Sequence, residues 1–136
     1  MTWLAVVTVG VIAFGLLLVI APGVGRQGFS LLVFSSADRI SEFGSEAASY
    51  IELAHAVMGS VMGGWGVALL LVLRGPMKRN LTEGLKIFAV SLVAWFIPDT
   101  IFSIASGFWE NAVQNVVFAV LFAVPLTALY RQSRKT

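Results

Sequence analysis

Four long apolar segments separated by polar or glycine-rich connections dominate the pattern of this chain. They run over residues 2–21, 50–73, 84–107 and 111–130. A helix needs about 20 residues to cross a hydrocarbon core, and each segment is long enough to do so. They are apolar on nearly every face, so helices rather than the alternating strands of a barrel satisfy their backbone hydrogen bonds. The pattern predicts an all-α integral membrane four-helix bundle that forms a single domain over residues 1–136.

Composition supports this class. The chain is 58% hydrophobic and 12% charged, with a mean hydropathy of +0.90, whereas soluble domains carry about 25% charged residues. It contains no cysteine, which excludes disulfides, thiolate catalysis and Cys-ligated metals. The basic residues gather at the ends of the apolar segments, so they indicate membrane boundaries, and no nucleic acid partner is expected.

Charge asymmetry predicts the topology. The second connection and the C-terminal tail are basic, whereas the first and third connections are mostly acidic. The basic set is Arg74, Lys78, Arg79, Lys86, Arg131, Arg134 and Lys135. Because Lys and Arg are retained on the cytoplasmic side, both termini are expected in the cytoplasm. The long connection between the first and second helices then lies outside.

Local signals predict where helices begin and end. Asn80 and Glu83 have the spacing of a capping box, so the third helix is expected to begin there. Gly107 suits the position just after the end of that helix. Ser45, which follows Gly44, is a comparable start for the second helix.

The first connection, residues 22–49, contains a short apolar run over residues 29–34. That run is too short to cross a membrane, so we expect it to lie on the outer face or to cover the bundle. Residues 35–38 are expected to cap a short helix that ends at Gly44.

Small residues on the second helix indicate close helix packing. Gly59 and Gly63, and likewise Ser60 and Gly64, are four positions apart, the spacing that brings helices together in membranes. The pattern allows packing within the chain or a dimer seam, and the sequence does not choose between them.

Polar residues gather toward the outer ends of three helices. Those that we assign to one candidate ligand-binding site are Glu52, His55, Trp95, Asp99, Ser103, Asn111 and Asn115. Their spacings of three or four place the members from each helix on one face, and ionisable groups inside a span mark candidate sites. A kink at Pro98 would release a backbone carbonyl beside them.

The same cluster admits other interpretations. It could be a hydrogen-bond network that only holds helices together. Glu52, His55 and Asp99 could bind a single metal ion, and Ser103, His55 and Asp99 are the residue types of a hydrolase. A carboxylate and an imidazole could also relay protons in an oligomeric transporter or channel, although the inner halves of the helices lack matching polar groups.

Three stretches carry a family resemblance: residues 21–23 (Ala-Pro-Gly), residues 55–66 with Arg74-Gly-Pro76, and residues 95–100 followed by Asn111 and Asn115. With them the chain resembles small bacterial four-helix membrane proteins of the DoxX-like kind. The resemblance implies a bacterial plasma (inner) membrane and an accessory role in a larger complex, since some such chains are subunits of quinone-linked oxidoreductases.

The sequence therefore predicts a non-enzymatic binding protein or accessory subunit with an outward-facing polar pocket. Its expected partners are the lipid bilayer, a lipid- or quinone-like amphiphile, and a second copy of the chain or a larger membrane complex. No catalytic residue, metal or cofactor is assigned.

Overall fold

The computed structural model describes residues 1–133, and that part of the chain contains helices and no β-strand. The helices are α1 (Thr2–Ile20), α2 (Pro22–Phe34), a 3₁₀ helix (Arg39–Phe43), α3 (Ser45–Arg74), α4 (Pro76–Arg79), α5 (Leu81–Ala105) and α6 (Trp109–Ser133). Arg134 and Lys135, which belong to the predicted basic tail, lie outside the described residues. The all-α prediction is confirmed.

Four helical stretches are long and apolar enough to cross a membrane. They are Thr2–Ile20, Ser45–Arg79, Leu81–Ala105 and Trp109–Ser133, which match the four predicted spans within a few residues at most ends. Only 17% to 28% of the most apolar part of each stretch is buried inside the protein. Most apolar side chains therefore face outward, as expected of an integral membrane protein in lipid.

The predicted helix boundaries on either side of α5 are confirmed. The Asn80 side chain accepts a hydrogen bond of 3.1 Å from the Glu83 amide at the start of α5. At the other end, Gly107 has a φ of 82°, and the Phe108 amide donates to the Ser103 carbonyl over 2.8 Å. This is the Schellman pattern, in which a glycine in the left-handed region ends a helix.

The first connection differs from the prediction because much of it is helical. Pro22 begins α2 directly after α1, since a proline tolerates the first position of a helix and forces the preceding residue out of helical geometry. The short helix that ends at Gly44 is present, but its N-cap, Asp38, makes no capping hydrogen bond with its side chain. The N-cap thus lies within the predicted residues 35–38, although the predicted stretch provides no side-chain capping bond from Asp38.

A buried hydroxyl ties the 3₁₀ helix to α2 instead. Ser30 donates to the Ser36 carbonyl over 2.6 Å and accepts a hydrogen bond of 3.3 Å from the Ile40 amide. Ser30 is fully buried and Ile40 is nearly so. The Ser30 hydroxyl therefore links α2 to the 3₁₀ helix at a buried, apolar residue of that helix.

The chain divides into two compact units. The first unit is Gly10–Gly66, and the second combines Met1–Val9 with the described residues from Val67 onward. In the first unit, α1 and α3 pack backbone to backbone at Gly15 and Gly59. A Cβ added to Gly15 would lie 2.6 Å from the Gly59 carbonyl oxygen and 2.7 Å from the Gly63 nitrogen. The Gly59–Gly63 pair therefore packs within the chain, whereas a Cβ added to Gly64 would meet nothing within 4 Å.

In the second unit, α5 packs on α6 and α4 packs on α5. The rings of Phe88 and Phe122, both almost fully buried, lie with their centroids 6.2 Å apart. Gly84 lets α4 approach α5, because a Cβ there would lie 2.6 Å from the Cβ of Met77.

The second unit also contains a backbone contact that the sequence analysis did not anticipate. Helix α6 continues through Pro125, which has no N–H to donate to the Leu121 carbonyl four residues earlier. The Trp3 indole nitrogen donates to that carbonyl over 3.2 Å. The first turns of α1 are thereby joined to α6.

We expect Gly59→Val to destabilise the protein by about 1 to 3 kcal/mol, the cost of overpacking a tight interface. The new side chain would meet the Gly15 backbone and the Leu18 side chain. Gly64→Val is the matched control and should change the free energy of unfolding little. Titration with SDS in mixed micelles, followed by helical circular dichroism, measures both. Equal losses for the two variants would contradict the packing described.

We expect Trp3→Phe to lower the free energy of unfolding by about 1 kcal/mol, which is the contribution of one interhelical hydrogen bond. In a Pro125→Ala background the loss should be smaller, because the introduced alanine supplies the N–H that the Leu121 carbonyl otherwise lacks. The same SDS titration on the four proteins of this cycle gives the coupling energy. Additive effects would show that the indole does not replace the missing amide.

Candidate functional site

A carboxylate, a hydroxyl and an amide meet in the second unit between α5 and α6. The Asn111 side-chain nitrogen donates to Oδ1 of Asp99 over 3.0 Å and to the Ser103 hydroxyl oxygen over 2.8 Å. The Ser103 hydroxyl lies 2.7 Å from the Asp99 carbonyl oxygen and 3.3 Å from Oδ1. Asp99, Ser103 and Asn111 therefore form one hydrogen-bonded cluster, which we call the Asp99 cluster.

The tight connection between α5 and α6 explains why these residues meet. Asp99 and Ser103 are one turn apart on α5, and Asn111 lies in the first turn of α6. The turn at Gly107 reverses the chain within three residues, so the end of α5 and the start of α6 lie side by side. All three residues are among those predicted from spacing and depth along the helices.

Asn115 makes a separate contact one turn further along α6. Its side-chain nitrogen donates to the Thr100 hydroxyl over 3.3 Å, and Asn115 itself is buried. Trp95 lies one turn before Asp99 on α5, with its ring edge-on to Phe96 at a centroid distance of 6.3 Å. Thr100 was not among the predicted site residues, although a half-buried threonine beside Asp99 is the kind of partner that Asn115 requires.

Asp99 has no positive partner within residues 1–133. The two ion pairs in this part of the chain join Arg26 to Glu52 and Arg39 to Glu42. Asn111 donates to Oδ1, whereas the Ser103 hydroxyl donates to the nearer Asp99 backbone carbonyl. No side chain of residues 1–133 donates to Oδ2. Among residues 1–133, the half-buried Asp99 carboxylate therefore has a side-chain donor on one of its two oxygens only.

Glu52 and His55 lie in the first unit, where each has its own partner. Arg26 of α2 pairs with Glu52 of α3 at 3.3 Å, although the Arg26 Nε atom is buried with no hydrogen-bond partner among the described residues. The Phe29 ring lies 4.8 Å from the His55 ring. Gly25 instead permits the close approach of α2 to α1, since a Cβ there would lie 2.6 Å from a terminal carbon of the Leu18 side chain.

The hydrogen bond of His55 fixes its ring nitrogens. Nδ1 lies 2.6 Å from the Ile51 carbonyl oxygen, and because a carbonyl only accepts, Nδ1 carries the proton. In the neutral ring Nε2 is then the acceptor. A catalytic triad requires Nδ1–H to point at a carboxylate, so the hydrolase interpretation finds no support in this bond.

Metal chemistry finds no support either. Among the described residues no three His, Asp or Glu side chains lie close enough to hold a metal ion together. The carboxylate of Glu52 is also engaged by Arg26.

Arg26 and Phe29, which contact the predicted residues Glu52 and His55, were not among the predicted site residues. They were not predicted because residues 22–34 were interpreted as a connection and not as a helix. Pro22 at a helix start would have placed Arg26 and Phe29 one turn apart on one face, and the opposite charges of Arg26 and Glu52 were the remaining signal.

No protein-family model, curated protein or solved structure matches this chain. The resemblance to DoxX-like proteins therefore stays a prediction.

We expect Asn111→Ala to destabilise the protein by about 1 kcal/mol, because the half-buried Asp99 carboxylate and the buried Ser103 hydroxyl lose their donor. The loss should shrink in an Asp99→Ala background, in which that acceptor is already gone. Gln114→Ala, in the same part of α6, is the control and should cost less. SDS titration of these variants measures the coupling, and a coupling of zero would contradict the Asp99 cluster.

Proposed function

We propose that this chain is a non-enzymatic binding protein or accessory subunit in a membrane, folded as a four-helix bundle with both termini in the cytoplasm. The Asp99 cluster would then face the outer side. There it would bind the polar head of a lipid- or quinone-like amphiphile, or a helix of a partner protein.

The single observation that supports this proposal is that the Asp99 carboxylate is hydrogen-bonded on one oxygen but has no cationic partner among residues 1–133. Asn111 donates to Oδ1, and within residues 1–133 no cation pairs with Asp99. A carboxylate in a membrane helix is costly unless it is paired, solvated or bound to a ligand. A donor from outside that reaches Oδ2 would reduce this cost, and hydroxyl or ammonium headgroups have such donors.

The neighbouring side chains suit a headgroup that enters beside α5. Trp95 lies on the same face of α5 as Asp99, one turn deeper, and offers a flat apolar wall for the chain that follows a polar head. Ser103 and Asn111 fix the carboxylate in place, which lowers the entropy lost on binding. Glu52 and His55 remain predicted members of the site.

The test is native mass spectrometry of the full chain released from membranes in a mild detergent. We expect a bound small molecule or protein in the unaltered chain and a loss of at least about tenfold in its occupancy in Asp99→Asn, equivalent to about 1.4 kcal/mol. Glu110→Gln, which removes a carboxylate from the same end of α6, should retain the bound species.

Two outcomes would contradict the proposal. One is equal occupancy in Asp99→Asn and the unaltered chain, and the other is an unaltered chain with nothing bound. Proton or ion flux into proteoliposomes that disappears in Asp99→Asn would instead favour the transporter alternative.

A further inference from the structure

A second candidate site lies in the second unit, at the opposite end of α5 from the Asp99 cluster. It is an open groove of about 530 Å³ between the first turns of α1 and the end of α3. Its lining residues are Met1, Thr2, Ala5, Val6, Val9, Leu70, Leu73, Arg74 and Lys78. This volume is within the range of small-molecule sites, about 300 to 1,000 Å³.

The lining of the groove changes from apolar to cationic along its length. Ala5, Val6 and Val9 line it on α1, while Leu70 and Leu73 line it on α3. From Ala5 to Val9 the groove follows α1 for about 6 Å at 1.5 Å per residue. This apolar part suits a hydrocarbon chain rather than a polar solute.

The cations lie where the apolar run of α3 ends. Arg74 is the last residue of α3, and Lys78 lies in α4. Both side chains are exposed, and within residues 1–133 neither forms an ion pair. The two charges therefore stand at the membrane boundary, beside the end of an apolar groove, with no anion of the described chain to neutralise them.

We propose that this groove binds an anionic phospholipid, with an acyl chain against α1 and α3 and the phosphate at Arg74 and Lys78. Basic pockets between membrane helices recognise lipid headgroups in this way. The phospholipid supplies both features that the groove requires, an apolar chain and a negative charge at its end. This inference is independent of the function proposed for the Asp99 cluster, because the two sets share no residue.

The first experiment varies the charge. The full chain in neutral detergent is titrated with phosphatidylglycerol, and bound lipid is counted by native mass spectrometry. We expect the Arg74→Gln, Lys78→Gln double variant to bind about 30-fold more weakly, or about 2 kcal/mol at 1.4 kcal/mol per tenfold, since each basic residue near a membrane contributes about 1 kcal/mol. Arg79→Gln with Lys86→Gln removes the same charge from neighbouring residues outside the groove lining and should retain the affinity.

The second experiment fills the groove without changing its charge. Val6 and Val90 are both 60% exposed, but only Val6 lines the groove. Val6→Phe should weaken phosphatidylglycerol binding several-fold, whereas Val90→Phe should not. Phosphatidylcholine with the same acyl chains should bind more weakly than phosphatidylglycerol, and soluble glycerol phosphate should not compete.

Three results would overturn the proposal. Equal binding of the two lipids would indicate ordinary annular lipid, and equal losses in both charge variants would indicate general electrostatic attraction. Competition by glycerol phosphate would indicate a site for a soluble phosphate compound.

Discussion

Polar groups inside a hydrocarbon core must find hydrogen-bond partners within the protein. In this chain some polar side chains find a partner in their own helix, whereas Asp99 requires one from another helix. Thr8, Ser60 and Ser103 each donate to the carbonyl four residues earlier in their own helix. A hydroxyl on a membrane helix thus needs no neighbouring helix. The carboxylate of Asp99 cannot satisfy itself in this way, because it only accepts when ionised, and it depends on Asn111 from the next helix. The Asp99 cluster therefore differs from the isolated hydroxyl residues in that its hydrogen bonds join two helices.

The same constraint acts on the backbone at the prolines. Pro125 removes one amide from α6, and the orphaned carbonyl of Leu121 recruits the Trp3 indole. In the first unit, by contrast, α1 and α3 meet through bare glycine backbone at Gly15 and Gly59, where dispersion contacts replace hydrogen bonds. At these two points, α1 is fixed by a side-chain hydrogen bond in the second unit and by close backbone packing in the first.

Structural features that depend on a few neighbouring residues could be predicted from the sequence. Contacts between residues far apart in the chain could not. The apolar runs, the cap at Asn80 and the turn at Gly107 are properties of a few neighbouring residues, so they were predicted. The contact from Trp3 to Leu121 joins residues 118 positions apart, and no spacing rule reports it. Helix α2 was missed for another reason: its glycines and polar residues resemble a loop, and its packing against Glu52 and His55 overrides that weak helical propensity.

The charged features of the second unit lie at opposite ends of α5. Asp99 is about 27 Å along that helix from Leu81, at 1.5 Å per residue, which is close to the about 30 Å of a hydrocarbon core. The cations of Arg74 and Lys78 precede Leu81 by only a few residues. If α5 spans the membrane, Asp99 lies inside the span, about 9 Å before the end of α5 at Ala105, and the cations lie beyond the other end of the helix. Neither is at the centre, where an ionised group costs most. Moving the helix along its axis in either direction would carry one set of charges inward. On that condition, the charges of the two candidate sites would also oppose movement of the protein along the membrane normal.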